Sequence, residues 1–455
     1  MPQRMSLNTC FALFATLLSG CSTTSKELTE NQRYPTILHQ TSASEDNTSL
    51  RNVPVGAKAN GKTDDTAAIQ KALFAGNGPV FLPAGKYLIS DSLQIPSNSG
   101  IYGFGTLYQT AEKVTLINYP DDKEASNIVV EGIKIKKKFN PQSEADGIFF
   151  KNTENLRIHD VEISGIGAVS GIYLLWCENF SITNCYIHDF KNTWTQTKLS
   201  NSKNIWSEET PKTKRNADAL GIHLRYCKFG VISGNRIENL VSSEASADAI
   251  GWQTDGINPQ FSEQINISNN IIRNVGEGID VVGGRSISVT GNVIEGCWHF
   301  GIKVIHGASF VTVSNNAIRN AALAGISLYF GGPQWGDSKG NVIVGNTIAN
   351  IGSISRNKGL WKGWPTAGIE IVNDNNLNNS VFDCLISNNV IYDNQKKATC
   401  QYGIIERHII FESDGSHKAI HGPIDDSGIY TNMISGNLIR GTAIREYHVG
   451  SKVQY

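Results

Sequence analysis

A glycine followed by isoleucine recurs along this chain, at Gly147-Ile148, Gly171-Ile172, Gly221-Ile222, Gly256-Ile257, Gly278-Ile279, Gly301-Ile302, Gly325-Ile326, Gly368-Ile369 and Gly403-Ile404. The spacings from Gly256 through Gly278 and Gly301 to Gly325 are 22, 23 and 24 residues. A second series keeps step with it: Asn184, Asn235, Asn270, Asn292, Asn316, Asn346, Asn389 and Asn437, each followed within three residues by an aliphatic. Short alternating strands repeating at this period cannot bury an apolar face singly and must stack on one another. The pattern predicts an all-β chain wound as a right-handed parallel β-helix, the hand that parallel crossovers take. Alternate residues such as Ile279 and Val281, or Ile302 and Val304, would fill a continuous interior column, while Asn at the turns tolerates left-handed backbone and bonds its stacked neighbours.

The rest of the composition fits one long solenoid. Of 455 residues, 40% are apolar and 18% charged, and the net charge is -1. A chain so balanced has no basic footprint for nucleic acid. Length alone suggests several domains, but solenoids grow along one axis, so residues 51–455 are expected to form a single domain. Arg4 followed by the apolar stretch Leu7 to Leu18 reads as a targeting segment over residues 1–20. It ends in Leu18-Ser19-Gly20-Cys21, which resembles the bacterial lipobox, and that resemblance implies lipidation of Cys21. Ser22 after the cysteine implies the outer membrane, with lipid as the only membrane attachment. Residues 21–50, rich in Ser, Thr, Asn and Glu, read as a flexible tether.

Three stretches near the start, Val55 to Lys58, Gly61 to Gln70 and Val80 to Tyr87, resemble the opening of the pectate-lyase and polygalacturonase superfamily. Thr63 or Asp64 is expected to cap a helix from Ala68 to Leu73 that plugs the open end of the core. The Asp64-Asp65 pair therefore reads as structural. Cys177 and Cys227 share a register, as stacked buried thiols or as a disulfide that an oxidising envelope would permit. Longer spacings mark inserted loops near 190–217, with Trp194 and Trp206, and near 331–365, with Trp335, Trp361 and Trp364 beside Arg356, Lys358 and Lys362. Such loops build the walls of a groove or pack upon themselves.

Aligned on the Gly-Ile step, the residue after Ile faces outward: Tyr173, His223, Asn258, Asp280, Lys303, Ser327 and Glu370. Two further on come Leu175, Arg225, Gln260, Val282, Ile305, Tyr329 and Val372. Just before Gly stand Asp255, Glu277 and Phe300. Asp255, Glu277, Asp280 and Lys303 thus fall on adjacent coils of one face, about 10 Å from end to end, with His299 and His306 flanking the last strand. Three crowded carboxylates need a cation. Lys303 can serve, as an ion-pair ladder of little energetic value, or a hard metal ion can. His223, Asn258, Gln260, Trp252 and Tyr329 are the candidates for holding substrate.

The succession Thr254-Asp255-Gly256-Ile257, Gly276-Glu277-Gly278-Ile279-Asp280 and Phe300-Gly301-Ile302-Lys303 resembles the family-nine polysaccharide lyases, over about fifty residues. That resemblance implies Asp255, Glu277 and Asp280 as Ca²⁺ ligands and Lys303 as the base in β-elimination of an acidic polysaccharide. The family has a further aspartate where this chain has Gly276. A base must be neutral, and a bound cation would depress Lys303, whereas without it Asp280 would hold the lysine charged. Arg225 is a second source of positive charge toward a developing enolate, and His299 or His306 a second base or acid. A polygalacturonase-type hydrolase, a C5 uronate epimerase and a non-catalytic glycan-binding lipoprotein are the alternatives. The paired Asp-Asp and Arg-Ile-Lys signatures of the hydrolases are missing from this register.

Overall fold

The computed structural model describes residues 52–118, 124–137, 146–165, 170–192, 220–242, 254–330, 336–354, 364–374, 380–411, 417–421, 431–449 and 452–454. The targeting segment, Cys21, the tether, Trp252, and Trp194, Trp206, Trp335, Arg356, Lys358, Trp361 and Lys362 of the two insertions lie outside them. Arg51–Tyr455 is one compact unit.

The unit is a right-handed parallel β-helix. Its described strands fall into a 24-stranded sheet, a 13-stranded sheet and a two-stranded one. The 13-stranded sheet carries the Gly-Ile repeat. Its consecutive strands are β1 (Ile148–Lys151), β2 (Ile172–Leu175), β3 (Ile222–Arg225), β4 (Ile257–Gln260), β5 (Ile279–Val282), β6 (Phe300–Ile305), β7 (Ala324–Tyr329), β8 (Ala367–Asp374) and β9 (Tyr402–Phe411). Each pairs in parallel with the next, isoleucine on isoleucine. At the far end β9 also pairs antiparallel with His417–His421, which breaks the parallel stack.

The glycine of the repeat is set by close approach between coils. A Cβ on Gly256 would lie 2.6 Å from the Gly278 carbonyl oxygen, and one on Gly278 would lie 2.3 Å from that of Gly301. The isoleucines are fully buried and join the opposite sheet in one continuous core. Two sequence periodicities thus have separate causes: backbone contact along the axis and side-chain packing across it.

The asparagine series splits into two roles. Asn235, Asn270, Asn292, Asn316, Asn346 and Asn389 each donate a backbone N–H to the side-chain oxygen of the next asparagine, ending on Asn437, at 2.9–3.0 Å. Their amide groups donate in turn to a main-chain carbonyl of a neighbouring coil, as Asn292 does to Ile267 at 3.0 Å. The left-handed backbone expected of them belongs instead to the preceding residue, Gly234, Asn269, Gly291, Asn315, Gly345, Asn388 or Gly436. Asn184 is in that preceding class, with φ 56°, and Cys185 takes the ladder position, its N–H donating to Asn235. Asn292→Ala would leave the buried Asn270 N–H without an acceptor. It is expected to cost about 2 kcal/mol, read as a lowered urea midpoint, whereas the same change at Asn266, exposed in extended strand backbone, should have little effect.

The capping helix α1 runs Thr66–Phe74, and Ile69, Ala72 and Leu73 seal the end of the core. Its capping differs from expectation. Thr63 caps nothing, its N–H donating to Asn60. Asp64 accepts from the N–H and hydroxyl of Thr66 at 3.0 and 2.6 Å, while Asp65 accepts the N–H groups of Lys58 and Ala59. Both acids are structural. Cys177 and Cys227 are free buried thiols, the Cys177 N–H directed at the Cys227 sulfur at 3.5 Å.

Candidate active site

Strand alternation decides which side chains meet on the outer side of β4 to β6. Ile302 and Val304 enter the core, so Lys303 between them faces out, directly beside Asp280. Asp255 and Glu277 come from the turns that precede β4 and β5, held where their carbonyls accept the N–H of Gly221 and Gly256. One oxygen from each of Asp255, Glu277 and Asp280 lies within 4.8 Å of the others. The Lys303 ammonium is 2.5 Å from Glu277 Oε2 and 3.1 Å from Asp280 Oδ2. His299 Nδ1 stands 3.7 Å from Glu277 Oε1, and the Asn258 amide donates to Asp255 at 2.7 Å.

The register is as expected, but the exposure is not. Asp255 is 0%, Glu277 and Asp280 are 1%, and Lys303 is 4% exposed, so the outward side of the sheet is no solvated strip here. Asn258 and Gln260 are buried as well. Beside the strip, Phe300, Ala322, Leu323 and Ala324 form a second small apolar cluster, with Ile354 and Trp364 packed against it. That cluster shields one flank from water and raises the electrostatic stakes within.

Burial and charge pull these groups apart. For Lys303, burial alone would lower the pKa, but Asp280, Glu277 and Asp255 outweigh it and hold the ammonium above its ordinary range. Burial would raise Glu277, yet Lys303 and His299 keep it below the usual carboxylate value. Asp280 goes well up, driven by burial and by repulsion from Glu277 and Asp255 beyond what Lys303 offsets. The cluster therefore favours an ionised Glu277–Lys303 pair, with Asp280 the carboxyl most resistant to ionisation. As it stands, Lys303 is no base.

The donor set fits a hard cation. All three carboxylates present oxygens to one point, and among the described residues Asp280 Oδ1 and Asn258 Oδ1 have no hydrogen-bond partner. Ca²⁺ takes only oxygens, six to eight of them. The missing fourth carboxylate has a steric reason. A Cβ at Gly276 would lie 2.7 Å from both the N and the Oγ1 of Thr254, so an aspartate there would push the two coils apart.

The other candidates are distributed along the same sheet. The His223 ring stacks on buried Tyr173 at 4.5 Å. Arg225 lies over Tyr226 at 5.2 Å, two coils from Asp280. His306 takes a left-handed corner, φ 59°, beyond the end of β6. Tyr329 stacks on Phe330 at 5.1 Å. Trp364, read from sequence as either a groove wall or a loop packed on itself, lies over the guanidinium of Arg407, 3.7 Å away.

A second buried cluster escaped the sequence reading. Glu370, after Ile369, accepts from Ser327 at 2.6 Å and from the Trp364 indole at 3.2 Å, and it pairs with Arg407. Both members of the pair are 0% exposed. Arg407 sits three residues after the isoleucine of Gly403-Ile404, the same outward column as Arg225, so extending the alignment one more coil would have found it.

The chain matches the family described as "Rhamnogalacturonase A/epimerase, pectate lyase-like" over residues 50–327. It is 27% identical over 262 residues to the pre-neck appendage protein of Bacillus phage B103, covering 55% of this chain and 26% of that protein. The chain thus spans about a quarter of that relative's length. Among solved structures, bacteriophage phi29 gene product 12 superposes with a TM-score of 0.56 at 15% identity, covering 88% of this chain and 55% of that one. The A-module of the Azotobacter vinelandii mannuronan C-5 epimerase gives 0.51 at 15%, covering 87% and 98%. At these identities the structural likeness is one of fold. The family match spans well over half of the sequence, and the chain belongs to the rhamnogalacturonase A/epimerase, pectate lyase-like family.

Proposed function

We propose that this chain is a polysaccharide lyase that cleaves a uronate-containing glycan by β-elimination. The observation that carries the reading is the Lys303 amine against three converging carboxylates, on a sheet whose next coils continue polar. Lys303 takes the proton alpha to the uronate carboxylate. The C–H electron pair becomes the new ring double bond, the bond to the glycosidic oxygen breaks, and that oxygen leaves with a proton. His299, beside Glu277, is placed to supply that proton. Asp255, Glu277 and Asp280, with Asn258 Oδ1, would hold Ca²⁺, which supplies positive charge to the uronate carboxylate and offsets the acids that keep Lys303 charged. His223, Arg225 and Gln260 extend the substrate face toward the N-terminal coils. Cys21 tethers the enzyme by lipid to the outer cell envelope, and Cys21→Ser should release it from the membrane fraction.

The test is ultraviolet absorbance from unsaturated uronate ends, on polygalacturonate and on alginate, with calcium and with chelator. Absorbance that needs calcium supports the reading. New reducing ends without absorbance mean hydrolysis, and solvent deuterium entering the uronate without cleavage means epimerisation; either outcome overturns it. Calcium should also raise the thermal midpoint of the apo protein, by mass action on the folded state, and Asp280→Asn should abolish that rise.

A further inference from the structure

A left-handed corner along the 24-stranded sheet carries a second polar ladder, separate from the Asn235 series. Its rungs are Asp189, Asn239, Asn274, Gly296, Asn320 and Asn350, all with φ between 52° and 73°. The Asn239 amide donates to Asp189 at 3.0 Å, and the Asn274 amide donates to Asn239 at 3.1 Å. The next rung is missing. Gly296 has no side chain to offer Asn274, although asparagine takes the same left-handed corner on the coils before and after it. At this gap lies a surface cavity of about 520 Å³. The in-register strands Ile271–Arg273, Val293–Glu295 and Ala317–Arg319 run up to it. Arg273 Nε stands 3.7 Å from Glu295 Oε2, and among the described residues it has no hydrogen-bond partner. Arg319, one coil on, donates to the same Glu295 oxygen at 2.8 Å. Asn274 and Asn320 frame the gap, the Ser353 hydroxyl lies 3.4 Å from Asn320 Oδ1, and Ile354 adds an apolar wall.

We propose that this cavity is a second carbohydrate site, which takes one neutral hexose unit by its hydroxyls. A cavity of this size is in the range that holds a small ligand. The carboxylate accepts, the guanidinium donates and the amides do both, which matches the mixed donors and acceptors of adjacent sugar hydroxyls. Ile354 meets the C–H side of the ring. The lining carries one cation and one anion, so a neutral ligand fits it, whereas a uronate would bring its charge against Glu295. Asn274 Oδ1, which lacks a rung from Gly296, is left to a ligand hydroxyl. Ile354 also packs on the Phe300 cluster that flanks Lys303, so the cavity lies beside the reacting face rather than on it. The site gives the protein a hold on neutral sugar that does not depend on the reaction at Lys303.

The experiment is ligand-observed saturation-transfer NMR on the full protein, with galactose, glucose and mannose as probes and galacturonate as the charged control. At least one of the three hexoses should give saturable transfer in the parent. Gly296→Asn restores the rung with a residue that tolerates the same backbone, and by filling the gap it should weaken that binding at least fivefold. Glu295→Gln, which removes the strongest acceptor, should also weaken it at least fivefold. The thermal midpoint of each variant shows whether it is folded. No transfer from any of the three hexoses overturns the site, and so does binding that either folded variant leaves unaltered. Galacturonate binding that Gly296→Asn weakens as much as it weakens the hexose overturns the neutral assignment. If Gly296→Asn fails to fold, Glu295→Gln decides alone. Hexose binding without cleavage of any uronate removes the lyase reading and leaves this one standing.

Discussion

Lys303→Ala is expected to reduce product formation to background and to destabilise the fold by about 3–5 kcal/mol, because it leaves Glu277 and Asp280 buried without their cation. Lys303→Arg separates the two effects. The guanidinium restores the positive charge and much of the stability, yet it stays protonated at any working pH and gives no proton acceptor. Its activity should remain at background while its thermal midpoint returns toward the parent value. The pH dependence has a definite sign. The folded-state pKa of Lys303 lies above its ordinary value near 10.5, so the stability it lends is fully present below that value and is lost only as pH rises through the folded value. In Lys303→Ala the deficit should be smallest in acid, where the carboxyls are protonated, and grow as they ionise. Denaturation midpoints across pH for the parent and both variants check this. Activity retained in Lys303→Arg would remove the lysine from the chemistry.

The second large effect belongs to Glu370 and Arg407. Removing the guanidinium in Arg407→Met strands a buried carboxylate that still holds Ser327 and Trp364, and about 3–5 kcal/mol should be lost. The double variant Glu370→Leu with Arg407→Met replaces both charges with apolar groups and is expected to recover most of the loss. Buried ion pairs are costly to break and cheap to exchange for hydrophobic packing. A double-mutant cycle on unfolding free energy reads the coupling directly. A double variant as unstable as the two losses added would mean that the pair does not interact.

The architecture was legible because its causes are local and periodic. The Gly-Ile step records a carbonyl that tolerates no Cβ and a side chain that fills one column, and both recur in every coil. Register followed from the same step, which is why Asp280 and Lys303 fell side by side. Burial was not legible, since alternation tells which way a side chain points and says nothing about what lies over it. The asparagines were half legible. Asn269 and Asn270 are the same residue type in adjacent positions, one turning the backbone through φ 57° and the other bonding along the axis, and only geometry separates them. Arg407 was missed because its partner Glu370 lies 37 residues away, on the preceding coil, and the outward columns stop one coil short of it. Gly276 shows the converse: its departure from the lyase pattern is visible in sequence, but its cause is contact with the Thr254 backbone.

The central claim is that the cluster of Asp255, Glu277, Asp280 and Lys303 is where glycan binds and reacts. A crystal structure of Lys303→Arg with a uronate hexamer tests it most directly. The glycan should lie along β4 to β6 parallel to the solenoid axis, with one carboxylate near Asp255, Glu277 and Asp280. A hexamer bound on the other sheet, with Asp280 still enclosed, would contradict it.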